Sequence, residues 1–88
     1  MKKIKSKAGY IVYEATENDS RMLGGIGICD FCGKHTPTGY LIPVMNAYYC
    51  PDCYMSWDEK SKMYPEDLHI EKRRIAYYET MLRIRSRH

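Results

Sequence analysis

The four cysteines of this chain form two pairs, and their spacing constrains the fold more than any other feature of the sequence. Two residues separate the members of each pair, Cys29–Cys32 and Cys50–Cys53, and 17 residues lie between the pairs. The short spacing lets a tight turn aim two sulfurs at one point, while the longer gap allows a hairpin to return the second pair. The spacing therefore predicts that all four cysteines bind one metal ion, with Gly33 completing the first turn.

Four thiolates are the ligand set of a structural zinc site, because a catalytic zinc keeps one coordination position open for water or substrate. Iron is a chemically reasonable occupant of the same four-sulfur cage. Two disulfides or four unligated thiols are further alternatives, although paired cysteines in a reducing compartment more often hold metal. A thioredoxin-like redox site needs a βαβ setting, which is missing here, and would leave one pair unexplained. We expect one structural Zn²⁺, with His35 as an exposed loop residue.

The chain is short enough that a bound metal would contribute substantially to its stability. At 88 residues it forms one domain, or a small domain with extensions, and chains this short often need a metal, a disulfide or a partner for stability. No run of about 18 apolar residues is present, so we expect no membrane segment. The basic start, MKKIKSKAGY, lacks the apolar stretch of a secretory signal, which predicts a cytoplasmic (intracellular) protein.

Residue patterns predict strands in the first half of the chain and helices in the second. Residues 9–16 are rich in β-branched and aromatic side chains and predict a strand, with residues 21–28 returning as its partner in an N-terminal β-hairpin. Residues 40–44 and 47–50 predict a second hairpin. From Pro51 onward the pattern is helical.

A separate amphipathic helix is predicted over residues 65–85. One apolar stripe at helical spacing consists of Leu68, Ile75, Tyr78 and Leu82. A further apolar set consists of Ile70, Tyr77, Met81 and Ile84. Such a stripe usually completes a core, but a helix of this length extends about 30 Å, which leaves part of it for a partner. We expect another protein, or a second copy of the chain, to bind at Tyr77, Tyr78, Met81 and Trp57.

Residues 28–60 resemble the treble-clef zinc finger. The order of elements is the same: a cysteine knuckle, then a hairpin, then a second cysteine pair at the start of a helix. The run CDFCGKHT looks like the start of such a module, and the cysteine spacing is similar to that of GATA-type fingers and LIM-type half-modules. The resemblance implies an α+β fold: a small treble-clef-like zinc domain with an N-terminal β-hairpin and a C-terminal amphipathic helix. We divide the chain into a flexible basic N-terminal arm (1–8), the hairpin with the zinc core (9–62) and the helix (63–88).

The resemblance does not extend to DNA recognition. GATA-type fingers carry Trp and Arg on the hairpin and basic residues on the following helix, whereas this chain has Leu41 and Ile42, then Asp52, Asp58 and Glu59.

The net charge of +3 is nevertheless unevenly distributed. Residues 1–7 and 72–88 are basic, while residues 8–71 hold four basic and ten acidic side chains. Basic ends attract DNA or RNA phosphates, although an acidic centre repels a duplex. Nucleic-acid binding is therefore our second hypothesis, with these contact residues: Lys3, Lys5, Arg73, Arg74, Arg83 and Arg85.

No set of catalytic residues is recognisable in the sequence. The run GGIG lacks the Lys and the following helix of a phosphate-binding loop, and the cysteines are assigned to the metal. Our first hypothesis is thus that the chain is a nonenzymatic zinc protein and acts as a protein-interaction module. We expect it to bind no small-molecule substrate.

Overall fold

A computed structural model describes residues 2–82 of the chain. Within them, an antiparallel sheet of order β1-β2-β3-β4 is combined with helices, so the predicted α+β class is confirmed. The elements are β1 (Lys2–Lys5), β2 (Ile11–Thr16), α1 (Glu17–Met22), β3 (Thr38–Ile42), β4 (Ala47–Tyr49), α2 (Pro51–Lys60) and α3 (Pro65–Leu82). Among these helices, none combines the length and the apolar character that crossing a bilayer requires.

An N-terminal hairpin is present, and its strand β2 lies within the predicted strand 9–16, but the partner strand is β1 rather than residues 21–28. Lys2–Lys5, expected to belong to a flexible basic arm, form the edge strand β1, which pairs with β2 in a register that places Lys3 opposite Tyr13. The turn between them is closed by Ser6, whose backbone N–H donates to the Tyr10 carbonyl at 2.8 Å and whose hydroxyl accepts from the Tyr10 N–H at 3.0 Å. The prediction that residues 2–5 form a flexible arm was therefore wrong.

The prediction of a strand over residues 21–28 was also wrong, because helix α1 (Glu17–Met22) extends into this range and Ile28 alone in it makes a β-bridge, to His35. A capping box starts this helix: the Thr16 hydroxyl accepts from the Asp19 N–H at 3.3 Å, and the Asp19 carboxylate accepts from the Thr16 N–H at 2.9 Å. Residues 17–20, which the predicted hairpin required as its turn, begin a helix instead, because Asn, Asp and Ser favour helix caps as well as turns.

The second hairpin lies within two residues of its predicted position. Strands β3 and β4 pair with Leu41 opposite Tyr48, and they are joined by a turn in which Asn46 has a φ of 53°. Pro43 lies in this turn rather than inside a ladder, in keeping with its missing N–H.

Each face of the sheet carries its own core. Neighbouring residues of a strand point to opposite faces, so Val12 and Tyr13 belong to different clusters. On the first face, Val12 packs with Ile42 and with residues of the cysteine region and α2. On the second face, Tyr13 packs with residues of α3. The helices α2 and α3 therefore cover opposite faces of the sheet.

Helix α3 begins at Pro65, as predicted, and residues beyond Leu82, among them Ile84 and Arg85, lie outside the described part of the chain. Its buried residues are Glu71, Tyr78 and Leu82, so Tyr78 and Leu82 of the predicted stripe are confirmed as buried. Ile75 is half-buried. Leu68, expected in the stripe, is 49% exposed. Glu71 is buried because its carboxylate accepts from the Ile11 N–H at 2.7 Å, at the start of β2. A polar group thus takes a position where periodicity alone favours an apolar one.

Candidate metal centre

The first cysteine pair lies in a tight turn whose ends are held together by backbone hydrogen bonds. The Cys29 N–H donates to the Lys34 carbonyl and the Gly33 N–H donates to the Cys29 carbonyl, both at 2.9 Å. A single β-bridge between Ile28 and His35 closes the base of the turn. Gly33 has a φ of +77°, a region that costs a residue with a Cβ roughly 1–2 kcal/mol. The local sequence therefore builds the knuckle that the spacing predicted.

The second pair belongs to the first turn of α2. Cys50 is the N-cap residue, Pro51 supplies the fixed φ that suits the first helical position, and Cys53 follows one turn later. The Tyr54 N–H donates to the Cys50 carbonyl at 2.9 Å and closes this turn. A helix N-terminus carries partial positive charge, which stabilises thiolates placed beside it.

These two segments bring the four cysteine sulfurs together. All four Sγ atoms lie within 4.8 Å of one another, and the Cys32 and Cys50 sulfurs are 3.9 Å apart. Sulfurs bound to one zinc at about 2.3 Å in a tetrahedron lie about 3.8 Å from each other, so the donor set fits a metal ion of this kind. A disulfide needs about 2.05 Å, and all four cysteines are free thiols.

The pKa values of two of these thiols are shifted in opposite directions. Burial opposes ionisation of Cys29, but backbone N–H groups of Cys32, Cys50 and Phe31 outweigh it and lower the pKa of its thiol to about 6. Burial, and hydrogen bonds shared with the other three thiols, raise the pKa of Cys53 to about 12. One thiolate forms readily while another thiol keeps its proton, so four thiolates require the charge of a bound metal.

His35 lies outside this cluster. Its Nε2 is 3.1 Å from the Glu17 Oε2, which also pairs with Arg21 at 3.0 Å, and its side chain is exposed, as expected. The hydrogen bond from His35 is the main cause that lowers the pKa of Glu17. His35 therefore ties the loop after the knuckle to α1.

The residues predicted to bind a partner occupy three different environments. Tyr77 and Met81 are 46% and 40% exposed on α3. Tyr78 is only 1% exposed, with its ring 6.2 Å from that of Tyr13 and its hydroxyl donating to Asn46 Oδ1 at 3.1 Å. Its assignment to a binding surface is corrected here, because the core of one protomer buries it. Trp57 is half-buried on α2.

The residues predicted to contact nucleic acid are only partly available. Lys3 and Lys5 are exposed on β1, and Arg73 is exposed on α3. Arg74 instead donates from Nη1 to the carbonyls of Pro43 at 3.3 Å and Val44 at 3.2 Å, so it stabilises the β3–β4 turn. Arg83 and Arg85 lie outside the described residues.

A groove next to the cysteines was not anticipated from the sequence. Phe31, between Cys29 and Cys32, is 74% exposed, and its ring meets that of Tyr49 edge-on at 5.9 Å. Together with Trp57 these rings line a groove of about 400 Å³ beside α2. The sequence contained one indication of this groove: Phe31, the single Phe of the chain, lies between the two cysteines of the first pair.

No protein-family model matches this chain, and neither does any curated protein or solved structure.

Proposed function

We propose that this protein is a nonenzymatic protein-interaction module, organised by one structural zinc ion in a treble-clef-like unit. The succession of knuckle, β3–β4 hairpin and α2 supports the treble-clef assignment, since the cysteine pairs stand at its two ends. Four thiolates complete a tetrahedral zinc shell, which leaves no position for a reactive water. The ion would cross-link the knuckle to the start of α2 and so fix the position of Phe31.

The proposal that this protein binds a partner rests on the exposure of Phe31. It is the most exposed large apolar side chain among residues 2–82, yet it sits on a turn pinned at both ends. Exposed apolar patches on a rigid frame mark interaction sites, and aromatic residues are enriched at the centres of interfaces. Tyr49 and Trp57 extend this apolar surface along the groove.

We expect Phe31→Ala to weaken peptide binding at the groove strongly while preserving the fold. A random peptide library displayed on phage is selected on the zinc-loaded protein, and the affinity of enriched peptides is then measured for each variant. Truncating an interface anchor costs about 2 kcal/mol or more, so we expect a loss of at least about 30-fold.

Tyr77→Ala is the matched control, because Tyr77 is another exposed aromatic residue but lies on α3. Peptides that respond to Tyr77→Ala and Met81→Ala, but not to Phe31→Ala, would place the binding surface on α3. A library that yields no peptide dependent on either set would contradict the interaction function.

Nucleic-acid binding is the second candidate, favoured by the exposed Lys2, Lys3 and Lys5 on the edge strand β1. The interaction proposal predicts no measurable binding of nonspecific duplex DNA or single-stranded RNA at about 150 mM salt, where charge attraction is screened beyond about 8 Å. Fluorescence anisotropy over a salt series tests this expectation. Affinity that persists at that salt and falls steeply as salt rises, with a slope reduced by Lys3→Ala or Arg73→Ala, would establish the second candidate instead.

A further inference from the structure

The groove beside the cysteines has opposite charges at its two ends. One wall is a face of α2 that includes Asp52 near the N-terminus of the helix and Lys60 at its last position. These two residues are eight positions apart on the helix, which places them about 12 Å apart along the axis. The surface between them is mainly apolar, because the rings of Phe31, Tyr49 and Trp57 make up most of it, with Ser56 as a polar member.

Neither end charge is neutralised within the described part of the chain. The ion pairs found among residues 2–82 join Glu17 to Arg21 and to His35, and neither involves Asp52 or Lys60. Both residues are exposed at the rim of the groove. They are therefore available to an external ligand.

The cysteine site strengthens this polarity. Cys53 lines the same groove near Asp52, and four thiolates around one Zn²⁺ carry about two net negative charges. With a metal ion bound, the Asp52 end would carry both a carboxylate and a negative metal–thiolate centre. Together they outweigh the partial positive charge of the helix N-terminus, which is about half a unit charge, while the Lys60 end is positive through its ammonium group. A ligand that lies along the groove experiences a field with a definite direction.

We propose that the groove binds a peptide segment of a partner protein that carries large apolar side chains between a basic and an acidic residue. The basic residue lies at the Asp52 end and the acidic residue at the Lys60 end. A span of about 12 Å corresponds to about four residues of extended chain or eight of helix. This inference rests on the proposed interaction function and adds the chemistry and the orientation of the ligand.

The apolar and charged parts of the groove make different contributions. Burial of apolar side chains against Phe31 and Trp57 supplies most of the affinity, because the rim charges are solvated and screened. Charges at a rim instead select the partner and fix its orientation. Reversal of the charges should therefore change which peptide binds without removing the ability to bind.

The test is a charge reversal combined with peptide selection. A displayed library of random peptides of about ten residues, long enough to span the groove in either conformation, is selected on the zinc-loaded protein and counter-selected on Phe31→Ala. We expect enrichment of peptides with a basic residue, an apolar centre and an acidic residue in one fixed order. Selection on the double variant D52K/K60D should enrich the opposite order, and wild-type binders should lose about tenfold in affinity for it.

The double variant E59K/K72E is the matched control. It exchanges one acidic and one basic residue, keeps the net charge, and changes exposed positions that do not line the groove. We expect it to select the same peptides as the wild type. If D52K/K60D fails to retain zinc, the neutral pair D52N/K60Q replaces it and should abolish the charge preference.

The outcomes separate this inference from the function on which it rests. Phe31-dependent peptides with no charge order, or with an order that D52K/K60D leaves unchanged, would overturn the bipolar ligand and leave the interaction function standing. Peptides that depend on Tyr77 and Met81 but not on Phe31 would overturn the groove ligand and place the interaction surface on α3. The absence of peptides that depend on either set would overturn both. A reversed order confined to the groove variant would support both.

Discussion

Removal of the metal is expected to unfold the cysteine region and α2. Structural zinc in small peptides contributes apparent free energies on the order of 10–16 kcal/mol at pH 7, whereas domains have net stabilities of about 5–15 kcal/mol. Cys29 and Cys50 are buried in the same cluster as Val12 and Ile42, so loss of the ion would also disrupt one of the two cores. Treatment with a chelator under reducing conditions, or the substitution Cys50→Ser, should therefore strongly reduce the near-ultraviolet circular dichroism signal. Native mass spectrometry of the same samples reports the number of metal ions bound.

His35→Ala is the control for this experiment. His35 is a metal-ligand type of residue close to the knuckle in sequence, but its imidazole contacts Glu17 instead. We expect this variant to keep one ion and a native spectrum. A metal-free protein that remains fully ordered would refute the structural role of the ion. Elemental analysis that finds iron rather than zinc would keep the cysteine site but change its occupant.

The parts of the fold that could be predicted from the sequence are those set by local chemistry. The spacing of the cysteines, Gly33 after the first pair and Pro51 after Cys50 determine the knuckle and the helix start within a few residues of chain. The second hairpin and the start of α3 at Pro65 were predictable for the same reason. Local signals sufficed wherever a turn or a cap has a single interpretation.

The rest could not be predicted because it depends on contacts between distant segments. β1 is a strand because Ile4 packs against the core opposite Val12, although its three lysines indicated a solvated arm. The burial of Glu71 depends on the start of β2, which lies 60 residues away. The groove likewise combines Phe31, Tyr49 and Trp57 from three separate segments. The periodicity of the sequence within each segment does not indicate that these residues are neighbours.

Tyr78→Ala is expected to cost about 3–5 kcal/mol of unfolding free energy, the range for a large buried aromatic side chain. Tyr78 is one of the few side chains by which α3 is anchored to the sheet, alongside Leu82 and Glu71. The substitution removes its contact with Tyr13 and leaves Asn46 without the hydroxyl that donates to it. Equilibrium unfolding in urea, monitored by circular dichroism, measures the loss.

The neighbouring residue provides a close control. Tyr77 has the same side chain on the same helix but is largely exposed, so we expect Tyr77→Ala to change stability by less than about 0.5 kcal/mol. Tyr78→Phe, which removes only the hydroxyl, should cost about 0.5–1.5 kcal/mol. Equal losses for Tyr77→Ala and Tyr78→Ala would mean that α3 does not dock on the sheet through Tyr78.

Since Tyr78 and the cysteines lie on opposite faces, the folded fraction of Tyr78→Ala should still bind one metal ion. Retention of the ion despite this loss would show that helix docking and metal binding stabilise the sheet independently.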